Sequence, residues 1–187
     1  MGDVILLYHA GYEKIMHPDL ERGRRNADFG QGFYLSDDGG FAGRWMRRKE
    51  GSNVFVNSYE LRCDGLVIEE LNRDKKWLSY ITANRRGMAD LLPDADVITG
   101  PIANDTVFDT MGIFTSGVLS DDEALSLMSV GPSYTQIVIK SAKALEQLSW
   151  TGVRVIPDEE LELFAELLKS EEEKYREELS RVLEDML

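Results

Sequence analysis

Residues 28–36 read Asp-Phe-Gly-Gln-Gly-Phe-Tyr-Leu-Ser, and this is the most informative stretch of the chain. Its two glycines bracket a tight turn, and the apolar run 33–35 that follows predicts a short strand. Upstream, Val-Ile-Leu-Leu-Tyr-His at 4–9 predicts a buried strand that ends in a histidine. A histidine strand beside a tyrosine strand, with a glycine turn between them, is suited to holding a flat aromatic ligand.

The composition bounds the class of protein. The 187 residues fit one domain, and a hydrophobic content of 43% is ample for its core. The chain carries 34 acidic and 21 basic residues, of which 12 acidic and 4 basic residues follow position 157. This acidity disfavours non-specific binding of the whole protein to nucleic acid or to an anionic membrane.

Few residues are available for disulfide or metal chemistry. Cys63 is the single cysteine, which excludes an internal disulfide, and His9 and His17 are the two histidines, so that no metal site is expected. No segment reaches the roughly 20 apolar residues of a membrane span. The apolar N-terminal run lacks a basic flank, so we interpret it as a strand rather than a signal peptide and expect a cytoplasmic protein.

Short strands and scattered helices are predicted along the rest of the chain. Strands are expected at 54–61, 66–68, 134–140 and 153–156, and from Val97 into a turn at Gly100-Pro101. Helices are expected at 39–49, 74–92, 121–128 and 141–148, the third of them started by a capping box at Ser120. The helix 74–92 should bury Trp77, Tyr80, Ile81, Met88 and Leu91. Without regular alternation of strand and helix, the pattern predicts an α+β fold.

A long amphipathic helix is predicted at 158–187, after a domain that spans residues 1–157. Leu161, Leu168, Tyr175 and Val182 recur every seven residues. A second row consists of Ala165, Leu179 and Met186, interrupted by Glu172. Such a helix packs on the body of the protein, forms a homodimer seam, or docks another protein, for example an inhibitor or antitoxin.

Three motifs carry a resemblance to a known family. Leu-Tyr-His at 7–9, Phe-Gly-Gln-Gly-Phe-Tyr-Leu at 29–35 and Tyr-Thr-Gln-Ile-Val-Ile at 134–139 resemble the strand motifs of His-Tyr-Glu ADP-ribosyltransferases. Poly(ADP-ribose) polymerases and diphtheria-toxin-like enzymes belong to that class. Residues 4–150, including Gly-Pro-Ile-Ala-Asn-Asp at 100–105, also resemble an uncharacterised bacterial family of that fold. The resemblance implies a split β-sheet core with peripheral helices and NAD as the substrate.

The resemblance implies a role for each matching residue. His9 would hydrogen-bond the nicotinamide ribose or the adenosine side of NAD, and Tyr34 would stack on the nicotinamide ring. Ala10 stands where the family has a glycine whose backbone holds the carboxamide. Gln136 stands where the family has its catalytic glutamate. Further NAD contacts are expected at Gly32, Phe33, Arg24 and Asp105.

The neutral Gln136 is the main departure from the family. Cleavage of the nicotinamide–ribose bond develops positive charge on the sugar, which a carboxylate stabilises. Gln136 can hydrogen-bond a ribose hydroxyl but supplies no charge. Because the leaving group is cationic and already reactive, a neutral residue can suffice for slow transfer, or Asp28, Asp105 or Asp109 can supply a carboxylate.

Three functions follow from the resemblance. The first is mono-ADP-ribosyl transfer from NAD to a protein or nucleic-acid acceptor, as in a bacterial toxin or effector. The second is NAD hydrolysis. The third is a non-catalytic module that binds NAD or a protein; the neutral Gln136 favours it, whereas the retention of His9 and Tyr34 argues against it. The arginines near the glycine turn (Arg22, Arg24 and Arg25) face solvent, the NAD pyrophosphate or a nucleic-acid acceptor.

Overall fold

The computed structural model describes residues 3–44, 46–103, 120–130 and 133–185. Within these ranges the fold is mixed α+β, as the sequence predicts. The strands are β1 (Val4–Gly11), β2 (Phe33–Leu35), β3 (Val54–Arg62), β4 (Ile68–Glu70), β5 (Val97–Pro101), β6 (Thr135–Ile139) and β7 (Leu148–Ile156). The helices are α1 (Gly39–Arg44), α2 (Lys75–Arg85), α3 (Asp121–Met128), α4 (Ala142–Glu146) and α5 (Asp158–Asp185), with a 3₁₀ turn at Leu20–Arg22.

The strands form two sheets that pack face to face. Sheet A has the order β1-β3-β7 and is antiparallel; sheet B has the order β2-β6-β5-β4, with only the β4–β5 pair parallel. The buried cluster between the sheets joins Leu7, Tyr59 and Leu61 of sheet A to Phe33 and Ile137 of sheet B. Alternation along each strand puts every second side chain into this cluster.

Helices cover the outer faces of both sheets. On sheet B, Ile98 and Val138 pack with Trp77 and Ile81 of α2 and with Met128 of α3. On sheet A, the outer face meets α5 through a second cluster that consists of Val54, Val56, Ile156, Leu161 and Phe164. The predicted capping box is confirmed: Ser120 accepts from the Glu123 N–H, and the Glu123 carboxylate accepts from the Ser120 N–H.

Three predicted helices are shorter than expected, and one of them is α4, which covers only Ala142–Glu146. α1 ends at Arg44 instead of reaching 49, and three of its six residues are glycine, a poor helix former. α2 ends at Arg85, because Gly87 adopts a φ of 66°, a left-handed conformation that closes a helix. Met88 and Leu91 were therefore wrongly assigned to the buried face, and they are 58% and 53% exposed.

The Gly100-Pro101 pair was wrongly predicted as a turn. Both residues extend β5, where Gly100 lies opposite Gln136 and Pro101 opposite Thr135 of β6. β4 pairs with β5 only as far as Thr99, so Pro101 lies at an edge where its missing N–H costs no ladder bond. The last strand is also longer than predicted: β7 starts at Leu148, where the expected helix 141–148 should still run, because its whole length pairs with β3.

The C-terminal helix α5 contacts two separate parts of the body. Its first half packs Leu161 and Phe164 against sheet A, and its second half packs Tyr175 and Leu179 against Leu127 of α3. Ala165, expected in the buried row, is exposed; Phe164 takes that place. No helix in the described ranges is long and apolar enough to cross a membrane.

Candidate functional site

The candidate site lies where the two sheets meet, at the junction of β1 and β2. Tyr8 and Ser36 exchange two backbone hydrogen bonds of 2.8 and 2.9 Å across this junction. One residue further along β1, the His9 Nδ1 lies 2.8 Å from the Tyr34 carbonyl oxygen. A carbonyl only accepts, so Nδ1 carries the proton and donates it, which leaves Nε2 of the neutral ring as an acceptor.

Burial keeps His9 neutral. It lowers the pKa of His9 below its ordinary value, and the bond to the Tyr34 carbonyl opposes this shift without cancelling it. The imidazole also packs on the Phe33 ring, with 4.8 Å between the ring centroids and 31° between the planes. The ring of His9 is therefore fixed in orientation and tautomer, as a binding group requires.

A cavity of about 360 Å³ opens beside His9. Its lining includes His9, Gly32, Phe33 and Tyr34 of the predicted site, together with polar side chains of the following loop, among them Glu13, His17, Asp19 and Arg22. This volume falls in the range of small-molecule sites, roughly 300–1,000 Å³. The structure thus gathers four of the predicted residues around one space.

The loop 12–19 forms one wall of the cavity and is held by sheet A from behind. The fully buried Asn57 of β3 accepts from the Ile15 N–H at 2.9 Å and donates to the Glu13 carbonyl at 3.0 Å. Two residues along the strand, the Tyr59 hydroxyl donates to the Ile15 carbonyl at 2.6 Å. Buried polar groups of this kind fix the path of the loop, because leaving them unpaired is costly.

The glycine turn lets β2 lie close to β6. Gly30 has a φ of 73°, which favours glycine. A Cβ at Gly32 would lie 2.5 Å from the Ile139 carbonyl oxygen and 2.7 Å from Val138 Cγ1, and one at Gly23 would collide with the Gly32 carbonyl. These glycines let the chain segments at 23 and 32 and strand β6 approach each other closely.

Tyr34 points to the other face of sheet B from Phe33 and packs its ring against the cluster under α2 and α3. Its hydroxyl donates to the Gly30 carbonyl at 2.7 Å and accepts from the Phe29 N–H at 3.0 Å. Burial is the main cause that raises the pKa of Tyr34 above its ordinary value. Tyr34 therefore offers its carbonyl to His9 and its hydroxyl to the glycine turn.

Three side chains clamp the glycine turn from α2 and from the end of β6. Asn84 donates to the Asp28 carbonyl at 3.1 Å, and Arg85 donates to the Asp28 carboxylate at 2.7 and 2.9 Å. Lys140 donates to the Phe29 carbonyl at 2.6 Å. Asp28, one of the predicted sources of a catalytic carboxylate, is thus engaged by an arginine.

Gln136 lies on the same face of sheet B as Tyr34. Tyr34 is directly opposite Val138, and Gln136 is two residues from Val138 along β6. The Gln136 side chain is buried, and among the described residues its Nε2 has no hydrogen-bond acceptor. A buried amide N–H without a partner costs free energy, so it marks a place for a ligand atom or a further polar group.

The other predicted site residues are more scattered. Ala10 belongs to the opposite face of β1 from His9 and packs against the cluster under α5. Arg24 is exposed, and its charge only weakly opposes the rise that burial causes in the pKa of Tyr34; Arg22 and not Arg24 lines the cavity. Asp105 and Asp109 lie outside the described residues. No group of histidine, cysteine or carboxylate side chains in the described ranges is arranged to hold a metal ion.

Sequence reasoning missed the supporting residues Asn57, Asn84, Arg85 and Lys140. Asn57 did leave a signal, since it follows Val-Phe-Val at 54–56 and its neighbours on the same face of the strand, Phe55 and Tyr59, are aromatic. A polar residue inside a hydrophobic strand requires buried partners. The other three are ordinary surface types in the sequence, and only the packing of α2 and β6 brings them to the turn.

Comparison with known proteins identifies the family but no activity. Residues 5–150 match the model of a family described as a protein of unknown function, DUF3990. No curated protein and no solved structure matches the chain. The match spans β1 to the start of β7 and therefore includes His9, the glycine turn, Tyr34 and Gln136. This chain belongs to the DUF3990 family.

Proposed function

We propose that this protein transfers ADP-ribose from NAD to a macromolecular acceptor. The observation that carries the proposal is the contact between His9 Nδ1 and the Tyr34 carbonyl, which joins two of the three motif residues at the mouth of one cavity. His9 Nε2 then accepts a hydrogen bond from a ribose hydroxyl. The His-Tyr-Glu resemblance supplies the identity of the ligand.

An extended ligand suits this arrangement better than a compact one. The rings of His9 and Phe33 lie on the side of β2 that faces sheet A, whereas the Tyr34 ring and Gln136 lie on the other side. A dinucleotide that crosses the β1–β2 junction reaches both sides. In the proposed pose the adenosine half enters the cavity beside His9, and the nicotinamide riboside contacts Tyr34 and Gln136.

The proposed reaction needs no further activation of the leaving group, because the nicotinamide of NAD is already cationic. The bond between the nicotinamide nitrogen and ribose C1′ breaks, its electron pair stays on the nitrogen, and positive charge develops on the sugar. The nucleophile of the acceptor then bonds to C1′ and loses its proton. The Gln136 Nε2, which has no acceptor among the described residues, donates to a ribose hydroxyl oxygen and orients it. Because this amide is neutral, we expect a slow enzyme.

Calorimetry with NAD and labelling with radioactive NAD test this function. We expect the wild-type protein to bind NAD and to label macromolecules in a cell lysate, and Tyr34→Ala to lose the label. Release of free ADP-ribose without labelling would indicate hydrolysis instead. Absence of NAD binding by folded wild-type protein would refute the proposal.

Restoring the family's carboxylate gives a second test with the opposite sign. Gln136→Glu should raise the rate about 100-fold, since a single well-placed electrostatic group contributes about 10²–10³. Gln147→Glu is the matched control, because Gln147 lies on the surface and donates to the Asp64 carbonyl. Equal rates in both variants would remove Gln136 from the proposed site.

A further inference from the structure

The buried face of α5 contains one carboxylate in an otherwise apolar row. Leu161, Phe164, Leu168, Tyr175 and Leu179 are buried, and Glu171 lies between them in the helical register with its side chain 30% exposed. An ion pair in such a place is at best weakly stabilising compared with a well-packed apolar residue. Packing alone therefore does not explain a glutamate here.

Glu171 contacts two residues of the body. Its Oε1 accepts from the Tyr134 hydroxyl at 2.9 Å and from Arg44 Nη1 at 3.1 Å, and Arg44 Nη1 lies 3.3 Å from the Tyr134 oxygen. The Tyr134 ring stacks on Phe41 of α1, with centroids 4.0 Å apart. Among the described carboxylates, Glu171 alone lies within ion-pair distance of Arg44.

The Tyr134 of this cluster is two residues from Gln136 along the chain. The Ile102 N–H donates to the Tyr134 carbonyl, which continues the β5–β6 ladder by one residue, so Tyr134 and Gln136 project from the same face of β6. The Tyr134 hydroxyl contacts both the Glu171 carboxylate and the Arg44 guanidinium. β6 has Gln136 in place of a carboxylate, and the Glu171 carboxylate of α5 contacts Tyr134, next to the start of β6.

Resting on the proposed function, we infer that Glu171 is a positioning residue for the transfer reaction. Its carboxylate neutralises Arg44, so that positive charge can develop on the ribose beside Gln136. Without Glu171, the Arg44 guanidinium repels that developing charge, and the effect is greater in the transition state than in bound NAD. Glu171 lies beyond the 5–150 match, so this contribution comes from outside the family's common region.

Variants that change a charge distinguish this electrostatic role of Glu171 from a purely structural role in anchoring α5. Glu171→Gln should lower kcat roughly tenfold with little change in KM, the scale of one unit charge acting over about 10 Å at an effective dielectric constant near 20. Arg44→Gln should not lower kcat, and the double variant should return to within about threefold of the wild type. Glu172→Gln, on the exposed side of the same helix turn, is the matched control and should behave as the wild type.

Each outcome decides the inference. If Arg44→Gln lowers kcat as much as Glu171→Gln and the double variant gives no recovery, the cluster only pins α5 and the inference is wrong. If Glu171→Gln does not fold, a tenfold fall of kcat in Arg44→Gln alone overturns it. Equal kcat in Glu171→Gln and Glu172→Gln overturns it while the proposed function stands, whereas a wild type that cleaves no NAD overturns both.

Discussion

The loop 12–19 and the glycine turn 28–32 both support the candidate cavity, but different parts of the chain hold them. The loop depends on Asn57 and Tyr59, more than forty residues away on β3. The turn carries its own glycines and is closed by the hydroxyl of Tyr34, four residues from Gly30. The backbone shape of the turn comes from adjacent residues and is reinforced by Asn84, Arg85 and Lys140, whereas the loop takes its shape from the strand beneath it.

Removing Asn57 should have the largest effect, because it releases the loop wall. Asn57→Ala leaves the Ile15 N–H and the Glu13 carbonyl without their buried partner, and we expect a loss of about 3 kcal/mol in the free energy of unfolding. Chemical denaturation measures it, with the exposed Asn53→Ala as the control. Equal stability of the two variants would mean that the loop holds itself.

Adding a methyl group at Gly32 should have the next largest effect, because it disturbs the packing of the glycine turn against β6. The new Cβ would press on the backbone of Ile139, so β2 must move away from β6, at a cost of about 2 kcal/mol. Gly152→Ala is the control, since no atom lies within 4 Å of its added Cβ. A stable Gly32→Ala variant with unchanged NAD affinity would show that the close approach at the turn is dispensable.

Tyr34→Phe removes only the hydroxyl that closes the turn. The Gly30 carbonyl and the Phe29 N–H each lose one hydrogen bond, which should cost about 1 kcal/mol of stability, while the ring and the carbonyl that meets His9 remain. NAD binding should therefore survive in Tyr34→Phe and not in Tyr34→Ala. Loss of binding in both variants would assign the role of Tyr34 to its hydroxyl rather than its ring.

The smallest expected effect concerns His9, whose side chain joins β1 to the Tyr34 carbonyl of β2. Its folded-state pKa lies below the ordinary value of 6.5, so the unfolded chain takes up a proton first as the pH falls. The contribution of neutral His9 to the free energy of unfolding is fully present above pH 6.5 and is lost as the pH falls towards the lowered pKa. His9→Gln should flatten this slope in thermal denaturation between pH 7 and pH 5 (about the range in which histidine titrates), and the exposed His17→Gln should not.

Much of the fold was predictable because local patterns decide it. The glycine turn, β1, β2 and β6, the capping box of α3 and the amphipathic α5 all follow from the spacing of apolar residues and from turn and cap residues. The errors in the strands fell where distant contacts overrule a local pattern, whereas α1 and α2 are short because of glycines within or next to them. Gly100-Pro101 extends β5 because β6 pairs with it, and β7 is long because β3 offers a partner along its whole length.

The candidate site divides in the same way. The sequence is enough to identify the residues that carry the resemblance (His9, the glycine turn, Tyr34 and Gln136), because a motif depends only on residue type and order. Strand register places the Tyr34 ring and the His9 ring on opposite sides of β2, and tertiary packing brings Asn57 and Lys140 from other elements to support the candidate site. The physical reason is that side-chain direction depends on strand register and that buried polar groups find partners far away in the chain, neither of which a single sequence pattern encodes.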